Sequence, residues 1–203
     1  MSILSLFSPF AWIRRLISLV LFLLLAFYVY CGYLTYAASE LPTSAAVLKT
    51  SNTILIIGPA SSSTQLSADT VSRLNQAVDI YDIRPAKHVI LAGNGKNITF
   101  SKEYLISNKI PPSRISILSA SSVPGTFSAL AGTVGRNRLI TVVADALQAA
   151  YIENLAADNR LSIQMSPAIN SEAVSLAGVG QLAKEASAVA VGKVIGFTRV
   201  DWG

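Results

Sequence analysis

Residues 52–58 read NTILIIG and residues 87–93 read KHVILAG. Each is an unbroken apolar run of strand length closed by a glycine. A strand with one wet face alternates apolar and polar residues. A continuous run is what a strand buried on both faces requires, and sheets covered on both faces are parallel. Between the two runs, Ser67–Asp82 places Val71, Leu74, Val78 and Tyr81 at helical spacing, with Ser67 able to cap the first turn. Strand, helix and strand in this order form a right-handed crossover unit.

The same alternation continues outward. Thr99–Lys109 reads as a helix stopped by Pro111 and Pro112. Arg114–Ser119 (RISILS) is a third strand, Phe127–Val134 a weak helix and Arg138–Ala144 (RLITVVA) a fourth strand. Asp145 then caps a helix to about Ala157. Leu161–Ser166 is a short fifth strand, and an Ala-rich helix runs from Ser171 to about Val194. The tail from Phe197, with Trp202, covers an edge. The pattern predicts an α/β fold, a Rossmann-like open parallel sheet of about five strands with helices on both faces. The domain is assigned to 52–203. Residues 39–51, with Pro42, Thr43 and Ser44, read as a linker.

Ahead of the linker, Leu16–Ala38 contains no charged residue. As a helix it would be about 34 Å long, enough to cross a hydrocarbon core of about 30 Å. Arg14 and Arg15 precede it and no Lys or Arg follows until Lys49. Positive charge on the cytoplasmic flank sets residues 1–15 in the cytoplasm and the domain outside, in a single pass of the cytoplasmic membrane. Tyr28, Tyr30, Tyr33 and Tyr36 gather at the far end, where amphipathic rings prefer the interface. Two other readings compete. A cleaved signal peptide has a shorter apolar stretch ending in a small-residue triplet. A buried helix of a soluble protein would carry polar breaks.

The whole chain has 203 residues, 52% of them hydrophobic and 13% charged, with a net charge of +5. Beyond Arg14 and Arg15, 14 basic residues face 11 acidic ones. No basic run of the kind that tracks nucleic acid is present. Cys31 is the single cysteine, so no disulfide forms within the chain and no cysteine-based metal site is expected. No cofactor is assigned from the residues, and no metal site.

In open α/β sheets, ligands bind beyond the carboxyl ends of the strands. Three Gly- and Ser-rich loops should meet there: Gly58 to Ser63, Gly93 to Lys96, and Ser119 to Thr126. Gly58, Ser61, Gly93, Asn94, Ser122 and Thr126 are candidate ligand-binding residues, because small residues let backbone N–H groups approach an anion and hydroxyls add donors. The plainer reading is ordinary turn chemistry. Arg73, early in the first domain helix, is placed to grip an anion, against a plain surface ion pair. Glu103 and Asp145 are weak catalytic candidates. A helix-dipole role competes for Glu103 and an N-cap for Asp145. The lone His88 begins the second strand, at the opposite edge, as a structural or surface residue. Asn97-Ile98-Thr99 is a glycosylation sequon, meaningful only in a eukaryotic secretory chain.

From Ile54 to Gly192 the chain resembles the DUF218 family, the SanA/YdcF-like proteins of bacterial envelopes. The resemblance lies in a strand closing in glycine (ILIIG), then Arg73, Leu74, Ala77 and Tyr81 in a helix. Ala92-Gly93-Asn94, Glu103, Ile110-Pro111-Pro112 and the loop carrying Ser119, Ser122, Thr126 and Ala129 complete it. It implies a membrane-anchored envelope protein concerned with barrier function or cell-wall precursors. The chain departs from the family pattern at Ser119, where Glu is usual, and at Ala129, where Asn is usual. Ala146 and Ala149 stand where His and Arg are usual. Alanine neither moves a proton nor holds an anion, which leans the reading away from an enzyme.

Three functions are therefore expected, in this order. The first is a non-catalytic, binding envelope protein anchored through Leu16–Ala38. The second is an enzyme on a small phosphorylated or lipid-linked cell-wall intermediate, using Arg73 with Glu103 or Asp145. The third is an anchored subunit that binds an envelope protein through its last helix or the Trp202 tail. A polar cleft containing Arg73 and Glu103 would favour a ligand; a flat edge would favour a partner.

Overall fold

The computed structural model describes residues 9–40, 46–58, 65–134, 138–168 and 176–200. Helix α1 spans Pro9–Ser39, followed by β1 (Thr53–Ile57), α2 (Ala68–Ile83), β2 (His88–Gly93) and α3 (Lys96–Ser107). Then come β3 (Ile115–Ser119), α4 (Val123–Thr133), β4 (Ile140–Asp145), α5 (Ala149–Asp158), β5 (Ile163–Ala168) and α6 (Leu176–Ile195). The five strands form one parallel sheet in the order β3-β2-β1-β4-β5. The expected fold class is the one observed, with all five strands close to their expected positions.

The period of two along β1 explains why the run had to be wholly apolar. Leu55 and Ile57 face one layer with Ile90, Ala92, Val142 and Ala144. Ile54 and Ile56 face the other with Val89, Leu91 and Val143. Helices α2 and α3 cover the second face through Leu74, Ala77, Ile80 and Leu105. Helices α4, α5 and α6 cover the first through Phe127, Leu130, Ile152, Leu155, Ala188 and Val189. Ser67 caps α2 as expected, its hydroxyl accepting from the Thr70 N–H at 3.2 Å.

Three helices start earlier or later than their periodicity suggested. α3 begins at Lys96, where Gly95 takes a positive φ of 78° that other residues resist. α4 begins at Val123 because Ser122 caps it and Pro124 suits its first turn. A 3-10 turn, Ala146–Gln148, separates β4 from α5, so Asp145 is the last strand residue and its side chain caps no helix. The expected start of the last helix at Ser171, and the Trp202 tail, lie outside the described residues.

Helix α1 is long and apolar enough to cross a membrane. Its outer half, Trp12–Ala26, is exposed on every side. Its inner half is not a free tether. Cys31 and Thr35 are wholly buried, and Phe27 and Ala38 pack on the same core as Phe127 and Leu155. Within the stretch read as a linker, Leu48 is buried in the opposite core, and the buried Ser51 hydroxyl donates to the Leu139 carbonyl at 2.9 Å.

Candidate functional site

The order 3-2-1-4-5 reverses between β1 and β4, because the chain leaves β1 toward β2 and returns later to β4 on its other side. Loops after these two strands diverge, which opens a crevice between their carboxyl ends. A cavity of about 230 Å³ occupies that crevice. Gly58, Arg73, Gly93, Ser122, Thr126 and Asp145, all singled out in the sequence, line it together with Gln148 and Lys184.

Gly58 is fixed by close approach. Its N–H donates to the Ala92 carbonyl at 2.8 Å, and a Cβ there would sit 2.8 Å from the same oxygen. Gly93 ends β2, and its carbonyl accepts from the Ala120 N–H at 3.3 Å. Ser122 and Thr126 spend their hydroxyls locally. The Ser122 Oγ accepts from the Gly125 N–H at 3.2 Å, and the Thr126 Oγ1 donates to the Ser122 carbonyl at 3.1 Å. The first turn of α4 therefore forms one wall of the cavity.

Arg73 is 6% exposed, and its contacts differ from an anion grip or a surface pair. Its Nη1 donates to the Ile57 carbonyl at 2.5 Å, its Nε donates to the Asp69 carbonyl at 3.3 Å, and Nε lies 3.4 Å from Asp145 Oδ1. The guanidinium braces the end of β1 against the end of β4. Asp145, expected as an N-cap, is instead the partner that neutralises this buried cation.

Glu103 is not part of the site. Because α3 starts at Lys96, Glu103 lies in mid-helix, exposed, and lines neither the cavity nor the narrow cleft between α2 and α3 that Asn94 borders. A macrodipole role is excluded too, since that field fades after the first turn. Ser61 lies outside the described residues. His88 is exposed at the start of β2, away from the cavity. Asn97 is 3% exposed in the first turn of α3, which leaves its amide no room for an oligosaccharide.

Glu185 was missed by the sequence reading. It is 7% exposed and accepts from Gln148 Nε2 at 3.4 Å, just behind the cavity wall. Burial holds its carboxyl above the ordinary range. Gln148 and Lys184 act against that shift, and Asp145 adds to it. The one signal in the residues was Lys184-Glu185 as an isolated charged pair in an otherwise Ala- and Val-rich segment.

A second cavity, about 220 Å³, lies under α4 toward the amino edge. Ile90, Leu118, Leu130 and Val134 make its walls apolar, with His88 and Arg138 among its lining. Among the described residues no group of three or more His, Cys, Asp or Glu is placed to hold a metal. Comparison with family models, with curated proteins and with solved structures found no match to the chain.

Proposed function

We propose that this protein is a membrane-anchored envelope component whose α/β domain binds a small phosphorylated ligand at the strand switch point and is a binding protein first. The observation that carries the reading is the cavity itself. It lies where open parallel sheets take ligands. It combines the Lys184 ammonium, the Ser121 hydroxyl and the first turn of α4. An anion meets a cation, a hydroxyl donor and favourable backbone dipoles there. The resemblance to DUF218 proteins supports the envelope setting. Arg14 and Arg15, in α1 just ahead of its uncharged stretch from Leu16, support a cytoplasmic N-terminus with the domain outside.

One observation favours the enzyme reading as a second. Glu185 is buried, holds its proton above the usual range and lies close enough to Asp145 to feel its charge. Two carboxyl groups in different environments can serve as acid and base. Against this, Asp145 is committed to Arg73.

The test uses the full chain in detergent micelles, with thermal shifts against inorganic phosphate, sugar phosphates and nucleotide sugars. A ligand at about 100 times its dissociation constant adds about 2.7 kcal/mol. For a chain of this size that is on the order of 5–10 °C. The expected result is such a shift for a phosphorylated compound, lost in Lys184→Ala, an exposed substitution that leaves the fold alone. No shift with any phosphorylated compound overturns the phosphate reading. Turnover of a compound that binds would move the conclusion to the enzyme.

A further inference from the structure

Helix α6 follows the carboxyl end of β5, and Lys184, in its first half, lines the cavity at that edge. α6 ends beside Phe197, whose N–H donates to Asp158 Oδ2 at the last residue of α5, at the amino edge. α1 lies along α6 in the same sense. The Tyr28 hydroxyl donates to the Ala183 carbonyl at 3.0 Å, one residue from Lys184. Gly32 faces Ala186. α1 also packs against Ala146–Gln148, just past the end of β4. Its other end leads to Lys49 and Ser51, which bond Gln164 near the start of β5 and the Thr141 N–H near the start of β4. α1 therefore enters the domain at the carboxyl edge and leaves it at the amino edge. The exposed half of α1, Trp12–Ala26, uncharged from Leu16 onward, projects from the edge that holds the cavity.

The lengths leave no gap between that edge and a membrane. Leu16–Ala26, the uncharged part of α1 that is not docked, is eleven residues, or about 16 Å of helix, whereas crossing a bilayer core takes about 20 residues and 30 Å. The bilayer must reach residues already docked on α6. Tyr30, Tyr33 and Tyr36 are exposed at that depth, where an interfacial belt belongs. On α6, Val179, near the start of the helix, is 63% exposed.

We propose that the cavity opens onto the bilayer surface and takes the phosphate-bearing headgroup of a membrane lipid instead of a free solute. This rests on the phosphate reading above and adds where the phosphate comes from. A headgroup held in the leaflet reaches Lys184 and Ser121 without leaving the membrane, and its effective concentration there is high.

Two measurements test it. The first needs no ligand. A fluorophore is placed on Ser121→Cys at the carboxyl edge or on Lys87→Cys at the amino edge, with the wholly buried Cys31 left in place. The full chain is reconstituted in nanodiscs containing brominated lipid. The expected result is strong quenching at residue 121 and little at 87; equal or reversed quenching overturns the orientation. The second compares phosphatidylcholine discs with and without phosphatidic acid, and glycerol 3-phosphate added to phosphatidylcholine discs. Stabilisation by phosphatidic acid, absent in Lys184→Ala and not reproduced by glycerol 3-phosphate, is expected. Equal stabilisation by glycerol 3-phosphate overturns the lipid source and leaves the phosphate site standing. No response to either overturns the headgroup assignment, and the quenching result then judges the orientation alone.

Discussion

Arg73 Nε lies 3.4 Å from Asp145 Oδ1, and the pair bridges the two strands between which the sheet reverses its order. The side chains are 7% and 13% exposed. Taking a guanidinium out of water is costly, and the Ile57 carbonyl and the Asp145 carboxylate together offset that cost.

Removing one partner strands the other. Asp145→Ala should lose about 3 kcal/mol, as expected when one member of a buried pair is deleted. The double variant with Arg73→Met should recover part of that loss. A denaturation cycle reads the coupling, expected above about 1 kcal/mol. Additive losses would mean that the Ile57 and Asp69 carbonyls hold Arg73 without help from Asp145.

Glu185 sets a pH dependence with a definite sign. Its carboxyl is raised in the fold, so the folded state keeps its proton when the unfolded chain has released it. The stability tied to this group is fully present below the ordinary carboxylate range. It falls as pH rises through the raised folded value and then levels. Glu185→Gln keeps the shape and removes the titration. The variant should be the more stable at neutral pH, with the difference closing as pH falls toward 4. A difference that does not change with pH would remove Glu185 as the cause.

The same substitution should act with opposite signs within α6. At Gly180 an added Cβ would meet nothing within 4 Å, so Gly180→Ala should gain about 0.5–1 kcal/mol of helix propensity. At Gly192 the new Cβ would lie 2.5 Å from the Phe197 ring. That ring is buried against Tyr151, with centroids 5.8 Å apart. Overpacking of about 1–3 kcal/mol outweighs the propensity gain, so Gly192→Ala should unfold at lower temperature than the parent.

Docking of α1 is testable through Cys31. The thiol is wholly buried, so a maleimide reaches it only when α1 lifts from α6. Gly32→Leu pushes a large side chain against Ala186 and should raise the labelling rate by about tenfold or more. Removing residues 1–39 should leave the Phe127–Leu155 core open on one side and the domain prone to aggregate. A truncated domain as stable and monomeric as the full chain would make α1 a simple tether.

Much of this was legible in the residues because it is local. NTILIIG and KHVILAG declare strands buried on both faces, Ser67 declares a helix start, and the uncharged stretch from Leu16 declares its length against a bilayer. Periodicity, capping and hydropathy act over a few residues, so the sequence by itself determined the element order, the parallel α/β class and the membrane-length helix. The partnerships came from tertiary structure alone. Asp145 reads as a cap until β1 and β4 are neighbours and Arg73 reaches it. Glu185 reads as one charge in an alanine-rich helix until α6 packs it behind Gln148. Nothing in Leu16–Ala38 says that Cys31 and Thr35 turn into the domain or that α1 enters at the carboxyl edge. Which groups share a cavity, and which way that cavity faces, depends on contacts between segments far apart in the chain, and only the packed layers bring them together.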